Sequence, residues 1–169
     1  MNFFIMKQLP VLPPSTYTPK DLSFIVPRVF ALTYTAYDMS AWAEALWNES
    51  SLDMRIKLLH AAVEDSRSIQ DEKFVDRAFS NTFIPPVEFD VDKRAVLMSE
   101  LDAYYARLYG LSRSDLQYIL DPSSIMEEGY PSVTFPGLKN SEIKEYGEYR
   151  TQRLVLEAWD KLDRGEFDA

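Results

Sequence analysis

The sequence predicts a mainly α-helical fold, an irregular helical domain of about five to seven helices with an extended, proline-rich arm at its N-terminus. Three observations favour this class. Apolar residues recur at helical spacing in several segments, helix-start signals precede them, and glycine or proline follows them. The chain has 169 residues, 46% of them hydrophobic, so it can bury a core without disulfides or a structural metal.

The arm is predicted to span residues 1–16. A short β-type run leads into LPVLPPST, where three prolines impose extended geometry. An apolar arm of this kind is expected to pack on a partner, because it would otherwise be an exposed sticky surface. The docking candidates are Phe3, Phe4, Ile5, Leu9, Val11 and Leu12. Residues 17–169 are predicted to form a single helical domain.

The first helix is predicted to start at Thr18, which can act as the N-cap because Pro19 suits the first helical position. Pro27 lies within the apolar pattern of this helix and is expected to kink or split it. Further helices are predicted over residues 40–47, 51–67 and 71–79 from their apolar spacing.

A long helix is predicted to start after Asp90 and to stop at Gly110, which suits the position after a helix C-cap. Its expected apolar stripe comprises Leu97, Leu101, Tyr104, Tyr105 and Leu108. Ser112 and Asp115 form a capping-box variant that would open a short helix over residues 113–120.

The last part of the chain is predicted to be an irregular segment followed by one long helix. Asn140 or Ser141 would cap that helix, and its apolar pattern continues to about Leu162.

Charge and composition exclude several kinds of site. The net charge is −9, which argues against this chain gripping DNA alone, since phosphates repel an acidic surface. Without cysteine there is no disulfide or thiolate metal site, and a reducing cytoplasm is the expected compartment. The single histidine, His60, makes a transition-metal site unexpected and is interpreted as structural. No apolar run has the roughly 20 residues of a membrane span.

The motifs of a methyltransferase active site are missing from the sequence. There is no glycine-rich phosphate loop and no glycine fingerprint for a dinucleotide or S-adenosylmethionine. The pair Pro85–Pro86 lacks the flanking residues that hold a flipped base. The loop carboxylates Glu127 and Glu128 are interpreted as solvated charge.

A nuclease is one possible interpretation of the sequence, based on Asp121, Glu142 and Lys144. Their order is similar to a nuclease core, but that core needs the Glu and the Lys on a strand. Here the segment is predicted to be helical, so we expect no magnesium-dependent cleavage.

Tyrosines and arginines occur together in two places, around Gly110 and in the last predicted helix. Tyrosine can stack on bases and arginine can contact phosphates. The candidates for DNA contact are therefore Arg107, Tyr109, Arg113, Tyr149, Arg150 and Arg153. In the alternative interpretation, which spacing alone favours, the tyrosines edge the core and the arginines pair with nearby acids such as Asp102, Glu145 and Glu148.

Three long segments carry a family resemblance. They are NFFIMKQLPVLPPSTYTPKDLSFIVPRVFALTYTAYDM, LDAYYARLYGLSRSDLQYILDP and EIKEYGEYRTQRLVLEAWDKL. Together they resemble the C-terminal end of large adenine-specific DNA methyltransferases, the single-chain type IIG-like restriction–modification enzymes and their relatives in phage defence.

The resemblance implies a position within that family. Residues 3–12 would end the target-recognition region, residues 17–37 would form the next helical segment, and residues 104–122 and 146–159 would be closing helices. Residues 48–83 would be a lineage-specific helical insertion. The family's catalytic and cofactor motifs lie upstream of all these segments, so the resemblance implies no enzyme activity and no cofactor in this chain. S-adenosylmethionine would bind only in the upstream catalytic domain.

Two functions follow from the resemblance. The chain would be a non-catalytic helical module that supports target recognition and contacts the DNA backbone as part of a methyltransferase assembly. Alternatively, it would be a protein–protein docking module that binds a separate catalytic subunit without touching DNA. The net charge of −9 favours docking over autonomous DNA binding.

Overall fold

The computed structural model describes residues 10–62, 84–126 and 135–167. These ranges are mainly helical and contain no strand, which confirms the predicted fold class. The seven α-helices in them are α1 (Pro19–Thr33), α2 (Ser40–Glu49), α3 (Leu52–Ala62), α4 (Val91–Leu108), α5 (Arg113–Leu120), α6 (Pro136–Tyr146) and α7 (Arg150–Asp163). Several predictions lie outside the described residues, namely the helix at 71–79 and the sites at Phe3, Phe4, Ile5, Leu9, Glu127 and Glu128.

The described end of the N-terminal arm is not extended throughout. Residues Pro14–Thr16 form a 3₁₀ turn, which the Thr16 N–H closes by donating to the Pro13 carbonyl at 2.9 Å. Val11 is 77% exposed and Leu12 is half-buried, so the two described docking candidates differ in availability.

Helix α1 starts as predicted, with a reciprocal capping box. The Asp21 N–H donates to the Thr18 hydroxyl at 3.2 Å, and the Thr18 N–H donates to the Asp21 carboxylate at 2.7 Å. The helix is not split at Pro27, which lies buried inside it. A proline removes one helical N–H donor, but α1 continues through it and packs against both α3 and α4.

Helix α4 runs antiparallel to α1. Near the start of α1, Asp21 accepts a hydrogen bond from the Tyr104 hydroxyl, late in α4, at 2.7 Å. At the opposite end, the Arg94 guanidinium donates to the Leu32 carbonyl at 2.8 Å.

Helix α7 runs parallel to α4 and packs along it more extensively than any other pair among the described helices. An ion pair joins their starts, with 2.8 Å between Arg150 and Asp92. A second ion pair joins their ends, with 2.8 Å between Arg107 and Asp163. Helix α5 packs antiparallel to α7, and α6 packs against α7 as well.

Two separate clusters of buried side chains form the core. The aromatic cluster lies among α1, α2, α3 and the segment before α4, and consists of Phe30, Ala31, Tyr34, Ala43, Trp47, Leu58, Leu59, Ile84 and Val87. The alanine cluster lies among α4, α5 and α7, and consists of Ala103, Ala106, Leu116, Leu120, Val155, Ala158 and Trp159. Leu58 and Leu59 belong to the predicted insertion, so the described part of that insertion packs into the core.

The corner between α4 and α5 matches its prediction. Gly110 has a φ of 76°, and the N–H groups of Gly110 and Leu111 donate to the Arg107 and Ala106 carbonyls at 2.9 and 3.0 Å. This pattern is a Schellman motif. Ser112 and Asp115 then form both hydrogen bonds of a capping box, and α5 covers the predicted residues 113–120.

The prediction of a single last helix is wrong. Helix α6 ends at Tyr146, and Gly147 follows with a φ of 78°, in the left-handed region that favours glycine. Helix α7 then begins at Arg150. As a result, the tyrosines and arginines of this part of the chain are divided between two helices and the turn that joins them.

The predicted stripe on α4 is also displaced. The side chains that α4 buries belong to Ser99, Glu100, Ala103 and Ala106, whereas the five predicted stripe residues are only half-buried. The small residues let α7 approach closely, and Glu100 meets an arginine of α1, so the helix buries a small and polar face.

Candidate functional site

Two of the arginine candidates for DNA contact, Arg107 of α4 and Arg113 of α5, pair with carboxylates near the end of α7. Arg107 is 2.8 Å from the Asp163 carboxylate, and its guanidinium lies 5.3 Å from the centre of the Trp159 ring. Arg113 makes a two-pronged pair with Asp160, with distances of 2.7 and 3.0 Å. Hydrogen bonding to Arg113 lowers the pKa of the Asp160 carboxyl, which therefore stays ionised and holds the arginine.

The other two arginine candidates lie at the start of α7. Arg150 pairs with Asp92 of α4, and its side chain is only 13% exposed. Arg153 contacts the carboxylates of two residues close to it in the sequence, Glu148 and Glu157, each at 3.0 Å. All four arginines therefore have acidic partners, as the alternative interpretation predicted, although Glu148 is the single partner that it named correctly.

The two tyrosine candidates have different environments. Tyr109 is exposed, and its hydroxyl donates to the Pro10 carbonyl at 2.7 Å, which ties the arm to the end of α4. Tyr149 is buried just before α7, and burial raises the pKa of its hydroxyl. A buried ring has no free face for a base, so Tyr149 is placed as a core residue.

The six candidates do not come together in one place. Arg150 begins α7, whereas Asp160, the partner of Arg113, lies near the end of α7. Because a helix rises 1.5 Å per residue, Arg150 and Asp160 are about 15 Å apart along its axis. The candidates therefore form two groups at opposite ends of α7.

Two of the three nuclease-like residues, Asp121 and Glu142, join parts of the fold. Asp121 accepts hydrogen bonds from Lys139 at 2.6 Å and from the Ser123 hydroxyl at 2.6 Å. Burial acts to raise the pKa of this carboxyl, but the bonds from Lys139 and Ser123 outweigh it and the pKa is lowered.

Glu142 lies on α6 and accepts from the Thr151 N–H and hydroxyl at 2.8 and 2.6 Å, which joins α6 to the first turn of α7. Lys144 lies two residues further along the same helix and is exposed. Residues two apart on a helix point to different sides, so a strand-like Glu-x-Lys arrangement is not formed. Nowhere in the described ranges do three or more His, Asp or Glu side chains gather as metal ligands would.

The structure contains a cleft that the sequence did not reveal. It has a volume of about 1210 Å³ and lies between α1, α3 and α4, with the turn at Gly165–Phe167 at one end. Its basic lining residues are Lys20, Arg28, Lys57, His60, Lys93 and Arg107. They come from three different helices, and each looks like an ordinary surface residue in its own segment, so no local motif could have found them.

A stack of side chains orders one wall of this cleft. The Arg28 guanidinium lies 3.5 Å from the centre of the Phe24 ring, and that ring stacks on Tyr104 with 4.1 Å between centres. Arg28 also pairs with Glu100 at 2.7 Å. Hydrogen bonds hold both ends of the stack, since Arg28 donates to Glu100 and the Tyr104 hydroxyl donates to Asp21.

Within residues 10–62, 84–126 and 135–167, none of the helices combines the length and apolar character needed to cross a bilayer. No family model, curated protein or solved structure matches the chain.

Proposed function

We propose that the chain is a non-catalytic helical module of an adenine-specific DNA methyltransferase or restriction–modification enzyme, acting in the cytoplasm. It supports target recognition by docking on the methyltransferase chain or domain that precedes it. The observation that carries this proposal is that the segments resembling that family pack on one another, with α1 and α7 both against α4. S-adenosylmethionine and catalysis would belong to the partner.

Docking fits the arginine environments better than a direct grip on DNA does. Arg107, Arg113 and Arg150 each bind a carboxylate of a different helix, so releasing them to phosphates would cost contacts that hold the module together. The net charge of −9 adds a general repulsion.

Apolar surface is available for docking in two places. Val11 in the arm is highly exposed. Helix α6 buries no side chain, and three apolar residues on it remain between 42% and 44% exposed, namely Leu138, Ile143 and Tyr146. Phe135, just before the helix, is 45% exposed. An 11-residue helix is only marginally stable by itself, so a partner that covers α6 would stabilise it.

Co-expression with the preceding methyltransferase tests the proposal. We expect the two to co-purify, and we expect Ile143→Glu to weaken the complex at least tenfold by placing a charge in an apolar contact. Lys144→Glu is the matched control, because it adds an acid to the adjacent residue of the same helix and should leave affinity within about twofold. Analytical ultracentrifugation measures the affinity, and circular dichroism checks that both variants are folded.

The outcome that would overturn docking is a methyltransferase that neither binds this chain nor changes its methylation rate or target when the chain is removed. Equal effects of Ile143→Glu and Lys144→Glu would instead remove α6 as the docking surface.

A further inference from the structure

We infer that α6 is a releasable helix, which swings away from the body of the molecule about Gly147 while the other described helices stay folded. Two polar contacts hold it in place, one between Lys139 and Asp121 and one between Glu142 and Thr151. The release follows from the contacts of α6 alone. Its consequence, the presentation of α6 to a docking partner, rests on the proposed function.

The apolar residues and the polar contacts of α6 lie on the same side of the helix. Successive residues of a helix turn by about 100°, so five side chains fall within an arc of about 140°, namely Leu138, Lys139, Glu142, Ile143 and Tyr146. Among the residues of α6, all of which are described, Lys139 and Glu142 are half-buried and the others are exposed. This arc therefore faces the body, and Lys144 lies on the opposite side.

The side of α6 that faces the body is poorly packed. Its two most covered residues are charged, whereas Leu138, Ile143 and Tyr146 stay between 42% and 44% exposed. Burial of apolar surface is the main stabiliser of packed helices, and a hydrogen bond within the protein largely replaces one to water. Release of α6 should therefore cost much less than unfolding of the body.

The first contact ends on a carboxylate that has further partners. Lys139 donates to Asp121 at 2.6 Å, and Asp121 also accepts from the hydroxyl and the N–H of Ser123, at 2.6 and 3.2 Å. When Lys139 leaves, the buried carboxylate keeps these two hydrogen bonds. The Lys139 side chain is 21% exposed, so water can solvate its charge as it moves.

The second contact caps α7 from outside that helix. Tyr149, which precedes α7, provides no side-chain cap. The Glu142 carboxylate accepts instead from the N–H and the hydroxyl of Thr151, at 2.8 and 2.6 Å. Release leaves this N–H without Glu142, and water can take its place because the N–H lies in the first turn of a helix.

The turn between α6 and α7 provides a place to bend. Gly147 is exposed and has a φ of 78°, and glycine can change its backbone angles without the steric cost of a side chain. Two residues later Tyr149 is 7% exposed, which fixes the α7 side of the turn. The bend is therefore expected at Gly147.

Release would change what α6 can offer to a partner. In the closed position, Lys139 and Glu142 lie between the apolar side chains and are engaged with the body, so a partner cannot cover the whole arc. After release the arc is open, and a partner that covers it would also stabilise a helix that is only marginally stable alone. Docking on the methyltransferase would then compete with the two polar contacts.

Hydrogen exchange of the full chain, measured by mass spectrometry without any partner, tests the release. Amides of α6 should exchange at least tenfold faster than those of α4. Urea from 0 to 1 M should speed exchange in α4 at least fivefold, because global unfolding exposes much surface, and in α6 less than twofold.

Variants of the two contacts and of the bend sharpen the test. The double variant Lys139→Gln/Thr151→Val should raise the exchange rate of α6 at least tenfold, with α4 still the more protected helix. Gly147→Ala should raise it at least fivefold, because alanine disfavours a positive φ. The added Cβ meets no atom within 4 Å, so the effect would come from the backbone alone.

Lys144→Gln is the matched control, because it removes the same charge from the opposite side of α6. We expect it to leave the exchange of α6 within about twofold of the unaltered chain. Circular dichroism checks that every variant is folded.

Three results would overturn the inference. They are α6 amides as protected and as sensitive to urea as those of α4, no acceleration in the double variant, or an equal acceleration in Lys144→Gln. Unchanged exchange in Gly147→Ala would exclude Gly147 as the bend.

Failure of release and failure of docking are distinguishable, because exchange is measured without the methyltransferase. If both proposals hold, the double variant should bind the methyltransferase several times more tightly, since less of the binding free energy is used to open α6. Equal or weaker binding would show that docking does not require release.

Discussion

The aromatic cluster and the alanine cluster achieve stability in different ways. In the aromatic cluster, large side chains fill the space between helices, and Phe30 and Tyr34 are 1% and 0% exposed. The Tyr34 hydroxyl donates to the Ile84 carbonyl at 3.0 Å, and the Val87 N–H donates to the Tyr34 carbonyl at 2.8 Å. These bonds fasten the segment before α4 to the end of α1.

The alanine cluster instead depends on small side chains. Ala103 and Ala106 of α4 allow close approach to Ala158 of α7, and ion pairs join both ends of these two helices. The two clusters are therefore expected to respond to different changes. Loss of volume should damage the aromatic cluster most, whereas added volume or a change of charge should damage the alanine cluster.

The largest effect is expected from Phe30→Ala. Removing a fully buried ring leaves a cavity, and the free energy of unfolding should fall by about 3–5 kcal/mol. Urea denaturation followed by circular dichroism measures it. Tyr37→Ala is the control, because it removes an aromatic ring that is largely exposed and should cost well under half as much. Equal losses would show that Phe30 has no special role in the cluster.

A smaller effect is expected from Ala103→Leu. Three more carbon atoms at a fully buried position would push α4 and α7 apart and cost about 1–3 kcal/mol. Ala41→Leu makes the same change at an exposed position of α2 and should be nearly neutral. Denaturation in urea compares the two, and an unchanged midpoint for Ala103→Leu would contradict close packing in the alanine cluster.

The smallest effect is expected from Asp121→Asn, which removes a charge next to the alanine cluster. The pKa of Asp121 is below the ordinary 3.8, so its contribution to stability is complete above that value and is lost as pH falls through the lowered pKa. Asp121→Asn should cost about 1 kcal/mol at pH 7 and flatten the dependence of stability on pH below about pH 4. Denaturation midpoints from pH 7 to pH 2.5 measure this, and parallel curves for both proteins would refute the Asp121–Lys139 contribution.

The local features of the fold could be predicted because their causes are local. The caps at Thr18, Asp90 and Ser112 and the stop at Gly110 depend on residues within one helical turn, and the structure has all four. The break at Gly147 does not follow from the sequence, because one glycine in a helical pattern costs only about 1 kcal/mol, which neighbouring residues often outweigh.

The candidate sites could not be predicted in the same way, since their partners are distant in sequence. Helical spacing pairs an arginine with acids within one turn, but Arg113 pairs with Asp160, 47 residues away. The cleft depends on the pairing of α1 with α3 and α4, which apolar spacing does not specify. The buried face of α4 is not predicted either, because a hydrophobic pattern is defined by leucine and tyrosine and not by serine, glutamate or alanine.

The parallel arrangement of α4 and α7 has a consequence for biosynthesis. Parallel neighbours need a connection that returns the chain to its starting end, and here α5, α6 and their loops lie between them. At about 5–20 residues per second, a ribosome needs several seconds after completing α4 to deliver α7. During that delay the Ala103 and Ala106 face lacks its partner, so the nascent chain is exposed to wrong associations until its last described helix emerges.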